Sequence, residues 1–267
     1  MKKFFKRLVL LLALILGIYF AYRMIGDMRI KNYITPSRVF ITGNLHGKID
    51  ADKISEEKFP EQKELGKDDN LIIVGDFGLI WDENIEDEMM LDELDKKRYN
   101  ILFVDGAHEN FDLLNKYEVV DLYGGKAHKI RDNVFHLMRG EIYTIGGKKY
   151  LAFGGGESLD KSIREEGISY WKEELPNKEE WSNMGYNLEK YNNYIDYILT
   201  YTPPSEDLRI IGAEIGKNLG KGSDMNKNLQ QLVDKVKYKK WFHSYYHLDL
   251  EISRKHTNVY KKIIEID

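Results

Sequence analysis

Short apolar runs alternate with polar and helical stretches along most of the chain. Four runs of four or five residues, each bounded by turn residues, predict buried β-strands. These runs are residues 38–42 (RVFIT), 71–74 (LIIV), 101–104 (ILFV) and 196–200 (DYILT). A fifth strand is predicted to end at Trp241 and Phe242, and another to begin near Leu248.

Glycines and capping residues predict the turns and helices between these strands. Residues 141–153 (EIYTIGGKKYLAF) predict a hairpin around Gly146 and Gly147, a pair suited to the positive φ angles of a tight turn. Residues 177–194 predict a polar helix, and residues 223–236 predict a second helix that starts on a Ser-Asp cap. The apolar stripe of that second helix contains Leu229, Leu232, Val233 and Val236. Strands, hairpins and intervening helices together predict an α/β fold with one mixed sheet or two sheets.

The first 31 residues differ from the rest of the chain. A basic segment (MKKFFKR) precedes an uninterrupted apolar run of fifteen residues, 8–22. As a helix this run would be about 22 Å long, shorter than a hydrocarbon core of about 30 Å, although flanking Lys and Arg side chains can snorkel to the interface. We interpret residues 1–31 as an uncleaved single-pass membrane anchor, with the domain at 32–267 on the extracytoplasmic side by default. A cleaved signal peptide and a core or interfacial helix are the alternatives.

Charge and cysteine content narrow the possible partners. Residues 32–267 contain 33 basic and 43 acidic residues, a formal net charge of −10. A domain this acidic is a poor partner for a nucleic-acid backbone, although a local metal can still attract a small phosphorylated ligand. The chain has no cysteine, so any metal must be held by His, Asp, Asn, Glu or Tyr.

The predicted strands run into loops that carry chemically active side chains. These loops are GNLHGK, GDFGLIW, DGAHENFD, YTPP and SYYHLD, in chain order. Functional groups in α/β folds gather where strands end at their carboxyl edge. The His, Asp, Asn and Tyr side chains of the five loops are therefore expected to meet in one cleft.

In this order the loops resemble the motifs of the calcineurin-like metallophosphoesterases. The family motifs are Asp-x-His, Gly-Asp, Gly-Asn-His-Glu, a lone His, and Gly-His-x-His. The resemblance covers residues 38–267 and extends to residues 71–82, 136–161 and 198–204, which look like a bacterial and phage-type branch. It implies two mixed β-sheets stacked face to face with helices outside, around a two-metal centre.

The resemblance assigns each motif position to a residue of this chain. The first-metal positions are Asn44, His46, Asp76 and His247, where Asn44 replaces the family's aspartate. The second-metal positions are Asp76, Ala107, Tyr201 and Tyr245, where all ligands other than the shared Asp76 have been replaced. The family's catalytic histidine corresponds to His108.

These replacements give two hypotheses for function. Two metals jointly clamp a phosphate and generate a hydroxide nucleophile, so losing one site favours a catalytically impaired or inactive member that acts as a binding module for a phosphorylated small molecule or a protein partner. One divalent metal (Mn, Fe or Zn) would then be weakly bound or absent. The alternative is a single-metal or iron-dependent phosphoesterase acting on a phosphomonoester, a phosphodiester or a nucleotide.

Several other residues have two interpretations. Tyr201 and Tyr245 either fill the vacated second-metal volume with their rings or bind iron(III) as tyrosinate. Arg139 either contacts a phosphate or forms a structural salt bridge. His243 precedes its motif and is not expected to be a ligand. The remaining histidines outside the motifs are predicted to be structural: His128, His136 and His256.

Overall fold

A computed structural model describes residues 37–266 and, near the amino terminus, residues 16, 17, 19 and 20. The chain divides after Pro36, and Ser37–Asp267 form one compact unit. Within the part of the chain that is described, no helix is long and apolar enough to span a bilayer. The predicted anchor at 1–31 lies outside the described residues except for those four positions.

Thirteen strands and five α-helices build the described part of the compact unit. The strands are β1 (Val39–Gly43), β2 (Asn70–Val74), β3 (Asn100–Val104), β4 (Val119–Leu122), β5 (Gly125–Lys129), β6 (Val134–Leu137), β7 (Glu141–Ile145), β8 (Lys148–Phe153), β9 (Tyr197–Thr200), β10 (Lys240–His243), β11 (Leu250–Glu251), β12 (His256–Asn258) and β13 (Ile264–Ile266). The helices are α1 (Ile85–Asp95), α2 (Phe111–Leu114), α3 (Lys178–Lys190), α4 (Asp207–Glu214) and α5 (Asp224–Lys235). Short 3₁₀ helices occupy Ala51–Ile54, Pro60–Lys63, Lys161–Ile163 and Lys172–Glu174.

The strands form two mixed sheets. The first has the order β13-β1-β2-β3-β6-β5-β4, and the second has the order β11-β12-β10-β9-β8-β7. In the first sheet β1, β2, β3 and β6 run parallel, and in the second β8, β9, β10 and β12 do so. Antiparallel strands occupy the edges of both sheets.

Apolar side chains fill the space between the sheets and cover both outer faces. Ile41 and Val104 of the first sheet belong to one buried cluster with Leu199 and Phe242 of the second. A second cluster joins the other face of the first sheet to α1 and α2, and a third joins the second sheet to α3 and α5. Strands buried on both faces explain the continuous apolar runs of β1, β2 and β3. The fold is therefore α/β, with two mixed sheets flanked by helices.

Most predicted elements are confirmed, with small shifts at their ends. Gly146 and Gly147 form the hairpin turn with φ angles of 56° and 77°. Asn177 and Ser223 cap α3 and α5, each in a capping box. The strand predicted to end at Phe242 continues through His243, because His243 still pairs with Asn258 of β12. The next strand begins at Leu250, two residues later than predicted.

Candidate functional site

The carboxylate of Asp76 lies at the centre of the cleft where the predicted loops meet. Asp76 follows β2 and is fully buried. Its Oδ1 accepts hydrogen bonds from the backbone N–H groups of Ala107 at 2.7 Å and His108 at 2.9 Å. These two hydrogen bonds help join the loop after β3 to the loop after β2.

The other oxygen of Asp76 is shared by four side chains. Oδ2 accepts from the Tyr201 hydroxyl at 2.9 Å, and it lies 3.0 Å from His108 Nδ1. Asn44 Nδ2 and His46 Nε2 each lie 3.3 Å from the same oxygen. Burial alone would raise the pKa of Asp76, but the hydrogen bonds from His108 and His46 hold it far below the usual range. Asp76 is therefore ionised, and the protein itself surrounds both of its oxygens with donors.

Two glycines allow this close approach. A Cβ on Gly106 would lie 2.0 Å from Asp76 Oδ1, and a Cβ on Gly75 would lie 2.4 Å from Ser244 Oγ. Gly75 also has a φ of 82°, in the region that favours glycine. Steric crowding thus explains the glycines of the Gly-Asp and Gly-Ala-His sequences, because each glycine leaves room for a neighbouring polar group.

Replacing Gly106 by alanine is expected to lower the free energy of unfolding by about 1–3 kcal/mol, because neither Asp76 nor its backbone can move aside without breaking hydrogen bonds. Gly185 in α3 is the matched control, since a Cβ there meets no atom within 4 Å. Gly185→Ala is expected to stabilise the protein by about 0.5–1 kcal/mol. Urea unfolding of both variants measures the difference, and equal shifts would contradict the steric explanation.

His46 lies between two carboxylates. Its Nδ1 is 2.7 Å from Asp50 Oδ2, and its Nε2 faces Asp76. Asp50 also accepts from the Tyr260 hydroxyl at 3.0 Å. Burial lowers the pKa of His46, but the hydrogen bonds to Asp76 and Asp50 outweigh it and raise the pKa overall. In this arrangement both ring nitrogens of His46 face carboxylate oxygens.

His247 completes a group of possible metal ligands. Its ring meets that of His46 edge to face, with centroids 4.7 Å apart. Burial and the nearby His46 lower its pKa. One ligand atom each from His46, Asp76 and His247 lie within 4.8 Å of one another.

These first-metal positions suit one divalent ion in part. Two imidazole nitrogens and one carboxylate are suitable ligands, and the Asp50 carboxylate holds the other nitrogen of His46 as is common for ligating histidines. Asn44 directs its Nδ2 at Asp76, and its buried Oδ1 has no hydrogen-bond partner. The set carries one formal negative charge, so a divalent cation is neutralised only in part.

The second-metal positions carry no imidazole and no carboxylate apart from Asp76. Tyr201 is buried and contacts Tyr245, with ring centroids 5.0 Å apart. The Tyr245 hydroxyl donates to the carbonyl of Glu157 at 2.6 Å. Burial raises the pKa of both hydroxyls, and Asp76 raises that of Tyr201 further. Both phenols are thus held in their protonated form.

Arg164 joins the site without any signal in the sequence motifs. Its Nη2 lies 2.8 Å from His108 Nε2, and its other nitrogens contact Asp160 at 2.7 Å and the Ser169 carbonyl at 2.9 Å. A guanidinium only donates, so Nε2 of His108 accepts and its proton resides on Nδ1, facing Asp76. While Arg164 holds this position, His108 has no proton on Nε2 to give to a leaving group.

Arg139 lies in a separate buried network. Its Nε donates to Asp105 Oδ2 at 2.9 Å, and its Nη1 lies 3.3 Å from Glu180. Asp105 also contacts His136 Nε2 at 3.0 Å, and its pKa falls to about 2 because Arg139 and His136 outweigh the effect of burial. His136 stacks on His128, and their Nδ1 atoms are 3.0 Å apart. The guanidinium of Arg139 is thus engaged by carboxylates of this network.

The histidine at the end of β10 belongs to a third network. His243 is fully buried, with Nε2 at 3.1 Å from Asp207 and Nδ1 at 2.9 Å from Asn258. His256 contacts the same Asp207 through Nδ1 at 2.8 Å. His243 and His256 thus link β10 and β12 to α4. Neither belongs to the group formed by His46, Asp76 and His247.

Comparisons with known proteins give no family for this chain. No protein-family model matches the sequence, and no curated protein matches it either.

Proposed function

We propose that this chain is a metallophosphoesterase-like protein that has lost two-metal catalysis and acts as a binding module. The observation that carries the proposal is the hydrogen bond from the Tyr201 hydroxyl to Asp76 Oδ2. In the resembled family the corresponding aspartate bridges two metals, whereas here a phenol hydroxyl donates to one oxygen of this carboxylate. A fold of stacked mixed sheets, with its loops meeting at one edge, supports the same assignment.

The donors around Asp76 support the loss of the second metal. A carboxylate has about four lone-pair sites, and this one already faces two backbone N–H groups and four side-chain donors. A bridging metal pair would have to displace several of them at once. Ala107 offers no replacement ligand, and the phenols of Tyr201 and Tyr245 would have to ionise against raised pKa values. The iron(III)-tyrosinate interpretation is therefore disfavoured.

The ligand of such a module is a phosphorylated small molecule or a protein partner. The cleft contains the basic side chains of His46 and Arg164, and an anion bound there would displace their present contacts with Asp50 and Asp160. The acidic character of residues 32–267, with a formal net charge of −10, disfavours a nucleic-acid backbone. A membrane tether at residues 1–31 would confine this binding to a bilayer surface.

A single-metal phosphoesterase is the second candidate. The arrangement of Asp50, His46, Asp76 and His247 favours it, because a proton leaving His46 Nε2 would create a ligand already oriented by Asp50. One bound divalent ion would supply a Lewis acid beside the cleft. His108 and Arg164 would then remain to orient a phosphate.

Metal content and hydrolysis measured together distinguish the two candidates. The purified full chain is assayed for bound metal and for turnover of an aryl phosphate with added Mn²⁺ or Fe²⁺. We expect less than one metal per chain and no turnover above that of His108→Ala. Stoichiometric metal, together with turnover that His108→Ala abolishes, would establish the single-metal enzyme instead.

A further inference from the structure

A second cleft lies between α4, α5 and the turn that joins β11 to β12. It is open to solvent and has a volume of about 760 Å³. Arg209 of α4 lines it on one side, and Arg254 and Lys255 of the turn line it on another. Three cationic side chains from two separate elements thus border one cavity.

These cations lack carboxylate partners within the described structure. Arg209, Arg254 and Lys255 are all exposed, and no salt bridge joins any of them to an acid in the described residues. Lys255 Nζ lies 4.9 Å from the ring centroid of Tyr238. Glu206 is the exposed carboxylate on the same lining. With the buried Asp207 included, the lining carries three cationic side chains and two carboxylates, an excess of positive charge in a domain whose formal net charge is −10.

The buried residues at the base of the cleft, Asp207, Tyr238 and His256, form hydrogen bonds with one another. The Tyr238 hydroxyl lies 2.7 Å from His256 Nε2, and His256 Nδ1 lies 2.8 Å from Asp207. Asp207 is buried, and both of its oxygens are engaged by His256 and His243. Asp207, Tyr238 and His256 therefore hydrogen-bond to one another. The cations of Arg209, Arg254 and Lys255 remain available to bind a ligand.

We propose that this cleft binds a phosphate-bearing ligand at a site separate from the Asp76 cleft. Guanidinium groups match phosphate oxygens with paired, charge-assisted hydrogen bonds, and a lysine adds a point charge on the same rim. The apolar walls formed by Ile210 and Val233 accommodate a non-polar part of the ligand. The phosphate belongs either to a free phosphorylated metabolite or to a phospholipid headgroup.

The test uses the full chain, with inorganic pyrophosphate as the soluble probe. The lipid readout is the difference in binding between vesicles with and without anionic phospholipid, because the apolar run at residues 8–22 can bind either kind of vesicle. The site variant is Arg209→Gln/Arg254→Gln/Lys255→Gln. The control variant removes three exposed cations that lie outside this cleft: Arg98→Gln/Lys67→Gln/Lys116→Gln. Both variants lose the same net charge, so long-range attraction is matched.

We expect saturable pyrophosphate binding by calorimetry that weakens about tenfold or more in the site variant and changes little in the control. Loss of the preference for anionic vesicles in the site variant alone, with pyrophosphate unbound throughout, would identify a lipid headgroup as the phosphate source. Equal losses in both variants, or no pyrophosphate binding together with no preference for anionic vesicles, would overturn the proposal.

A third variant separates the two clefts. His46→Gln/Arg164→Gln removes cations from the Asp76 cleft and leaves the second cleft intact. Pyrophosphate binding is expected to persist in this variant. Binding lost here but retained in the site variant would place the ligand beside Asp76 and contradict the second site. Melting temperatures near that of the parent chain show that each variant is folded.

Discussion

Replacing Arg139 by methionine is expected to lower the free energy of unfolding by about 3–5 kcal/mol, because it leaves the buried carboxylate of Asp105 without its main counter-charge. Arg139 and Asp105 are 6% and 0% exposed. Methionine preserves much of the apolar stem of arginine, so the loss reports mainly the uncompensated charge. Urea unfolding monitored by tryptophan fluorescence measures it.

Arg38 provides the control for this prediction. It also pairs with a carboxylate, Glu265, at 2.6 Å, but its side chain is 32% exposed. Solvent screens that pair, so Arg38→Met is expected to cost no more than about 1 kcal/mol. The double variant Arg139→Met/Asp105→Asn is expected to regain part of the lost unfolding free energy, because Asp105 no longer carries an unpaired buried charge. Similar costs for Arg139→Met and Arg38→Met would refute the role assigned to the buried pair.

The sheets were predictable because their strands are buried on both faces. A continuous apolar run such as LIIV predicts a central strand, and the Gly146-Gly147 pair predicts a hairpin turn. The convergence of strand-end loops follows from parallel strand order, and this brought Asn44, His46, Asp76 and His247 together in the cleft. These features depend on local pattern or on topology alone.

The remaining contacts of the site join residues that are far apart in the sequence, and no local sequence pattern predicts them. Arg164 reaches His108 from 56 positions away in the sequence, through a loop without a motif. Arg139 had two interpretations in the sequence, and only the positions of Asp105 and Glu180 show which groups it contacts. The crowding of donors around Asp76 likewise arises from three different loops. Which groups neutralise a buried charge therefore depends on the folded structure rather than on any single motif.

Restoring the family's ligands is expected to convert the Asp76 cleft into a metal centre. The variant combines four substitutions: Asn44→Asp, Ala107→Asn, Tyr201→His and Tyr245→His. Tyr201→His removes the hydroxyl that donates to Asp76 and offers an imidazole nitrogen instead. We expect bound Mn²⁺ to rise to about two ions per chain, with aryl phosphate hydrolysis above that of the parent chain.

The matched control for this variant is Tyr201→Phe/Tyr245→Phe, which deletes both hydroxyls and keeps the rings without adding ligands. It is expected to bind no additional metal. Stability gives a second measurement, because Asn44→Asp places a new carboxylate beside the buried charge of Asp76. Without metal the four-fold variant should melt below the parent chain, and Mn²⁺ should raise its melting temperature by binding only the folded state. If Mn²⁺ raises the melting temperature of the parent chain equally, the parent site already holds metal and the proposed loss of metal chemistry is wrong.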